Sequence, residues 1–528
     1  MDRSVRDADV VVVGSGVGGL TAAAYLAAIG KKVIVVERHS VAGGNATVFE
    51  HKGYEFDVGV HYVGDCQPGG MFDRLLKPLG IEIKWLEMDP DGFDTLIYPD
   101  MTFKFPKGID RLRDRLLEHF PTESEGIDRC LDVAQKLNRG LVGGGDFDLL
   151  MQYQDKTLAD LFDELELSPR LRSILSAQNG TYSLPPSKVS LILHSVLMMH
   201  YVTAGAFYPA GGGQVIADKL VEAIEANGGE VFLQTPVTRV IIEDGAVRGV
   251  QLKPPTPLRK RGVPDEVRAP IVISNADLKR TVFDLVGSEH FPTDMVERVG
   301  GYTMSLPLFV VYLILDRDLA AEGWSNSNVY VGSDDDVEGY YATLDAGKWP
   351  DHPVAYMTFS SMKDPSNTRL CRPGQTNMQV MTLVPSSYEF WGIEEGPARG
   401  GRYRLNAKYR ARRDQIASDL LEVAERGLPG LRSSIVFQET ATPITHERFT
   451  WSTGGTSYGI ECTPDQFLFN RRSPAPPVRG LFLAGASTMG AHGIAGTMGG
   501  GLMTASAVAE ANVQELIASR AAGPTPSS

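Results

Sequence analysis

The stretch Val10–Leu20, VVVVGSGVGGL, decides how the rest of the chain is read. Asp9–Val13 is strand-like, and the glycine run Gly14-Ser15-Gly16-Val17-Gly18-Gly19 follows it without a linker. A helical segment, LTAAAYLAAIG, then runs to Gly30, and KKVIVVE supplies a second apolar strand closing on Glu37. Strand, G-x-G-x-x-G, helix and strand with a terminal acid is the layout of a dinucleotide site. Gly14 allows the tight turn, Gly16 lets backbone approach a pyrophosphate, and Gly19 lets helix and strand pack closely. The helix start offers unpaired N–H groups and partial positive charge, worth about 0.3–1 kcal/mol to an anion. Glu37 suits a ribose diol and repels a 2′-phosphate, which disfavours NADP.

Bulk properties bound the alternatives. The chain has 528 residues, 43% hydrophobic and 22% charged, so more than one globular domain is expected. A formal charge of −14 argues against nucleic acid as a partner. The four cysteines, Cys66, Cys130, Cys371 and Cys462, show no metal-like spacing, which fits a reducing, cytoplasmic setting and no metal. The N-terminal residues carry no secretory pattern. The longest apolar stretch, Val189–Phe207, is interrupted by His194, Ser195 and His200. It reads as a buried helix, with a lipophilic tunnel wall or a membrane-dipping helix as alternatives, so peripheral membrane contact stays open.

NAD and FAD both satisfy the first motif. The residues after Glu37, RHSVAGGNATVFEHKGYEFDVGVHYVGD, place a second glycine pair, Gly43-Gly44, where an NAD dehydrogenase would continue with a helix. Backbone running beside a longer ligand explains it. Gly14–Gly19, Glu37, Gly43-Gly44 and FDVGVHYVG resemble the N-terminal signature of the flavoprotein group containing phytoene desaturase, carotenoid isomerase and retinol saturase. The GVHYVG segment is most similar to the last two. The resemblance implies FAD as cofactor, with the pyrophosphate at Gly14, Ser15, Gly16, Val17, Gly18 and Gly19. It implies the adenosine ribose at Glu37 and the flavin near Gly44, Asn45, Gly59, Val60, His61 and Tyr62, with Arg38 and Gly43 as further cofactor-binding candidates.

Tyr208–Leu252 reads as glycine turn, amphipathic helix and two strands joined at Glu243-Asp244-Gly245. By resemblance Val237 meets the adenine edge. APIVISNADLKRTV gives a further strand, with a helix start at Asn275–Asp277, and Asn275 is a cofactor candidate. KPPTPLRKRGVPDEVR reads as a solvated loop. Residues 86–205 are helical in pattern, and 290–445 are strand-rich with a helix near LNAKYRARRDQIASDLLEVAERG. The fold class is therefore α/β. A discontinuous Rossmann-type FAD domain (1–85, 206–289, 446–518) carries an inserted mixed-sheet and helical substrate domain (86–205, 290–445). A disordered tail, 519–528, is expected. The substrate should lie between the two domains.

Near the other end, GLFLAGASTMGAHGIAGTMGGG reads as the last strand of the nucleotide sheet, a glycine turn, and a helix from about Thr497 or later. Gly485, Ala486, Ser487, Gly493 and Ile494 would face the flavin end. Many flavoproteins hold the ribityl chain with an Asp where this chain has Ala486 and Ser487. GTSYGIE, Gly455–Glu461, resembles a segment that nears flavin and substrate in relatives.

A flavin moves hydride to or from carbon, so the protein need only position a carbon–carbon bond and exclude water. No hydrolytic triad or carboxylate pair is evident. Proton delivery falls to His61, Tyr62, His492 or Tyr458, each of which has a capping role as its alternative. LILHSVLMMHYV and the resemblance suggest a lipophilic, isoprenoid-like substrate. Three readings compete: an FAD oxidoreductase that saturates or desaturates carbon–carbon bonds, a non-redox polyene isomerase using reduced FAD, and a lipid-binding escort protein. An amine oxidase is remoter. The electron partner is left open.

Overall fold

The computed structural model describes residues 5–142, 146–332, 335–471 and 475–521. Its nucleotide-type sheet has five parallel strands, in the order Glu230–Phe232, Val33–Val36, Val10–Val13, Ile271–Ser274, Leu481–Leu483. Val10–Val13 and Val33–Val36 are buried throughout, as strands covered on both faces must be. Helix Val17–Ala28, helix Gln214–Ala226 and the closing helix Gly493–Ala509 share the apolar layer on one face. The other face packs against a meander of Val237–Glu243, Ala246–Leu252 and Glu266–Arg268, which Val5–Asp7 extends.

A second sheet has seven strands, in the order Ile435–Ala441, Leu308–Leu315, Thr376–Leu383, Ala355–Thr358, Asn328–Val331, Asp94–Ile97, Thr102–Phe105. It is antiparallel except where Asn328–Val331 runs parallel to Asp94–Ile97. Helix Ala407–Gly427 covers one face with the core around Trp391. The helical residues between Ile109 and Val202 form a separate apolar cluster that Tyr330 and Tyr62 also join.

Several details differ from the sequence reading. Helix Gly493–Ala509 begins four residues before Thr497, because Gly496 and Gly500 lie flush against the turn at Gly490 and Gly501 against helix Val17–Ala28, and this packing outweighs their low propensity. Within the segment read as a solvated loop, Thr256–Lys260 forms a short helix and Glu266–Arg268 a strand. Helix Val513–Ala521 takes in residues 519–521 of the expected tail, and 522–528 lie outside the described residues. Val189–Phe207 contains a buried helix, Leu191–Val202. Among the described residues no helix is long and apolar enough to cross a membrane, and none form a metal-ligating group of three.

Candidate active site

The two glycine turns meet at Asn275. Its backbone N–H donates to Val13 O at the end of the first strand. Its side-chain Nδ2 lies 3.4 Å from Gly14 O and 3.5 Å from Gly16 O. A Cβ added to Gly485, in the other turn, would stand 3.0 Å from Asn275 Oδ1. That Oδ1 is buried with no protein partner. The pair Gly43-Gly44 lies on the first turn: Gly43 N–H donates to Ser15 O at 2.9 Å, and a Cβ on Gly44 would come within 3.0 Å of Gly16 Cα.

The first helix starts at Gly16 with no capping side chain and no acid in its first turn, and so does the closing helix at His492. Both ends therefore keep N–H groups and dipole for an anionic or electron-rich ligand. A Cβ on Gly19 would sit 2.6 Å from Gly14 O, and one on Gly18 2.9 Å from Thr497 O, so the turn admits no side chain. Glu37, 8% exposed, accepts from Ser15 N–H at 2.9 Å and Ser15 Oγ at 2.8 Å, which fixes the carboxylate against the turn. Arg38 stacks over Trp451 at 4.3 Å and donates to Arg448 O at 3.0 Å. Val237 is reached through Thr235, whose N–H donates to Glu37 O at 2.7 Å. The residues thus suit a dinucleotide laid from Glu37 across the first helix start towards the closing one.

Beyond the closing turn lies a cavity of about 1410 Å³. Gly59, His61, Tyr62, Tyr458, His492, Gly493 and Ile494 line it. The structure thus separates the sequence candidates into two groups, since Gly14–Gly19, Glu37, Arg38, Gly43, Gly44, Asn45, Val60, Val237, Asn275, Gly485, Ala486 and Ser487 are absent from its wall. Asn45 instead bridges His446 Nε2 at 2.9 Å and Ser457 O at 3.2 Å, which ties the second glycine turn to the Gly455–Glu461 segment. Val60 packs beneath Gly213, where a Cβ would meet it at 2.6 Å. Ser487 Oγ accepts from Ile460 N–H at 3.3 Å.

Burial lowers the pKa of His61 to about 3, helped by the nearby Lys363 charge. Burial likewise brings His492 to about 3, helped by Arg471. Both rings are neutral at ordinary pH, and His61 Nδ1 and His492 Nε2 have no protein partner. Neutral imidazoles here fit hydrogen-bonding roles towards a ligand better than imidazolium proton donation. His492 Nδ1 meets Cys462 Sγ at 3.2 Å and its ring lies 5.1 Å from that of Tyr458.

A stability test follows from the His492 shift. The folded pKa lies below the unfolded value of about 6.5, so the unfolded chain binds the extra proton first as pH falls. This histidine's contribution is complete above pH 6.5 and is lost below it at about 1.4 kcal/mol per unit. The stability difference between wild type and His492→Gln, from urea unfolding, should therefore shift by about 2 kcal/mol against wild type between pH 7 and pH 5. A constant difference would show that the ring is not held neutral.

Four site features were invisible in the sequence. Arg471, 4% exposed, donates to the carbonyls of Ile460, Glu461, Gln466, Ala486 and Thr488 and to Cys462 Sγ, which clamps the closing turn. His446 orients Asn45. The rings of Tyr330 and Tyr356 meet at 4.6 Å, tilted by 31°, in the cavity wall, near the stacked pair Tyr62 and Tyr201 at 4.4 Å. Behind them lie buried Asp94 and Lys363. Each comes from a segment without a local motif, so periodicity and spacing gave no signal.

Residues 12–79 match the family described as an NAD(P)-binding Rossmann-like domain. Over 554 residues the chain is 27% identical to the all-trans-retinol 13,14-reductase of Danio rerio, covering 97% of this chain and 87% of that protein. It is 24% identical over 541 residues to prolycopene isomerase 1, chloroplastic, of an Oncidium hybrid cultivar, covering 96% and 84%. Putrescine oxidase solved with putrescine shares the fold, with a TM-score of 0.63, 15% identity and coverage of 96% and 100%. Over nearly its whole length the chain is thus similar in sequence to all-trans-retinol 13,14-reductases and prolycopene isomerases.

Proposed function

We propose that the protein binds FAD and uses it to add or remove a hydrogen pair across a carbon–carbon double bond of a conjugated, isoprenoid-like lipid. The observation that carries this reading is the cavity that begins at the uncapped start of the closing helix and continues between Leu193, Val196, Leu197, Met199 and the tyrosine belt. Its volume and the apolar side chains in its wall suit a polyene. The names of the relatives point to the same class: reduction of all-trans-retinol in one and isomerisation of prolycopene in the other.

In this reading Gly14–Gly19 hold the pyrophosphate, Glu37 the ribose, and Gly59–Tyr62 with His492–Ile494 the flavin end. Residues 1–85, 206–289 and 446–518 hold the cofactor, and 86–205 with 290–445 form the substrate side. When bound, FAD supplies the hydride donor or acceptor. The chain's own contribution is to align the polyene, exclude water and supply or take a proton. Putrescine oxidase gives no support for amine chemistry here, because at 15% identity the likeness is one of fold.

Anaerobic titration tests the proposal. Protein reconstituted with FAD and reduced by dithionite should regain its oxidised flavin spectrum on mixing with all-trans-retinol, with one double bond saturated per flavin. Geometric isomerisation of prolycopene with no flavin reoxidation would favour the isomerase reading. Tight retinol binding by flavin-free protein with no chemistry would favour the escort reading.

A further inference from the structure

The wall of the cavity holds a connected set of hydroxyls that ends on a buried acid. Tyr62 Oη lies 3.1 Å from Asp94 Oδ2 and 3.4 Å from Tyr330 Oη. Both tyrosines line the cavity, whereas Asp94 is fully buried behind them and absent from the wall. Asp94 accepts from Gln178 Nε2 at 3.0 Å and from Asn328 Nδ2 at 2.9 Å. Asn328 Oδ1 in turn accepts from Lys363 Nζ at 2.6 Å. Lys363, 3% exposed, also donates to His61 O at 2.8 Å and Thr358 Oγ1 at 2.5 Å.

A fully buried carboxyl, two amide donors, a buried ammonium and a hydrogen-bonded phenol pair are costly to assemble for packing alone. Asp94 lies on the strand Asp94–Ile97, Tyr330 and Asn328 on the neighbouring Asn328–Val331, and Tyr62 just before the short strand Val63–Gly64. The parallel pairing of the first two puts Asn328 beside Asp94 and Tyr330 beside Leu96. Two sheets thus converge on one chain of hydrogen bonds that reaches the substrate space.

We propose that Tyr330 delivers the proton to the polyene carbon during saturation, and that Tyr62 and Asp94 refill it; the proposal rests on the function argued above. Hydride from reduced flavin forms one C–H bond, the Tyr330 hydroxyl proton forms the adjacent one, and the π bond is consumed. The Tyr62 proton passes to Tyr330 oxygen, and the Asp94 proton passes to Tyr62 oxygen. The negative charge ends on Asp94, where Gln178, Asn328 and the Lys363 ammonium receive it, and water restores the proton after product leaves. The flavin is left oxidised.

Burial raises the Asp94 pKa, which favours the acid form before turnover, and the donors and Lys363 moderate that rise. Burial also brings Lys363 down to about 7, with Asp94 and Asp57 opposing. Tyr330 is the catalytic group, and Tyr62 and Asp94 act through it. Neutral His61 and His492 are left as hydrogen-bonding groups.

The test uses full-length, FAD-loaded protein carrying Tyr330→Phe, Tyr62→Phe or Asp94→Asn. After dithionite reduction, reoxidation of the flavin by all-trans-retinol should slow about 10²–10⁴-fold in Tyr330→Phe, with retinol affinity unchanged. Tyr62→Phe and Asp94→Asn should slow the same step with KM preserved. A second readout needs no turnover: 3-fluorotyrosine placed at position 330 reports its surroundings by 19F resonance. Asp94→Asn should move that resonance, and the movement should vanish when Tyr62 is Phe.

Wild-type reoxidation by Tyr330→Phe, or a resonance at 330 indifferent to Asp94, overturns the relay. If wild-type reduced flavin ignores polyenes altogether, it is the proposed function that fails, and the 19F coupling then decides the relay by itself. Should Asp94→Asn not fold, the two Tyr→Phe variants carry the kinetic test.

Discussion

Arg471→Ala should purify without flavin and unfold at markedly lower urea concentration than wild type. Its guanidinium is the shared donor for carbonyls of two segments, Ile460, Glu461 and Gln466 in one and Ala486 and Thr488 of the closing turn in the other. Removing it strands those acceptors in a region with little water. An unmet buried acceptor costs about 1–3 kcal/mol, so losing several donors together should cost at least about 4 kcal/mol. That is a large share of the about 5–15 kcal/mol that holds a domain folded. Arg471→Lys should recover little, because one ammonium cannot reproduce a planar fork spanning both segments. Flavin absorbance per protein and the urea midpoint measure the two losses. A variant that keeps both would show that the turn is held by its glycines alone.

The reason Arg471 matters also explains what could and could not be read from the sequence. Gly14–Gly19 and Gly43-Gly44 were legible because tight turns and close backbone contacts limit the residues allowed at each position. Gly14 and Gly43 have φ of +91° and +126°, and the nearest contacts at Gly19 and Gly44 are with backbone. The valine strands were legible for a similar reason, since burial on both faces leaves little but β-branched residues.

Side-chain assemblies carry no such signature. Tyr62, Asp94, Tyr330 and Lys363 lie far apart in sequence, and each alone reads as an ordinary strand or loop residue. Only strand register brings Asn328 beside Asp94. The same limit misplaced the start of the closing helix. Propensity counts every glycine in GIAGTMGGG against a helix, while the contact that makes glycine necessary there is with a helix more than 470 residues away. The histidines His61 and His492, which line the cavity, stood out by motif, but their neutral state depends on burial that only the fold reveals.

That distant contact carries the remaining prediction. Gly501, in helix Gly493–Ala509, faces helix Val17–Ala28 so closely that an added Cβ would lie 2.2 Å from Gly18 O and 3.0 Å from Thr21 Cβ. The blocking atom is a backbone oxygen on the turn of helix that starts the nucleotide cradle, so no side-chain rotation relieves it. Gly501→Ala must push the two helices apart by roughly 1 Å, which takes Gly18 away from its approach to Gly485 N and Thr497 O. Overpacking of this kind usually costs about 1–3 kcal/mol, and with rigid backbone on both sides the upper end is expected. Both glycine turns depend on that separation, so flavin affinity should fall along with the melting temperature. Gly300→Ala is the control, because the nearest atom to its added Cβ is Phe283 Cζ at 3.7 Å. If Gly501→Ala melts and binds FAD as the control does, the two ends of the chain do not form one cradle.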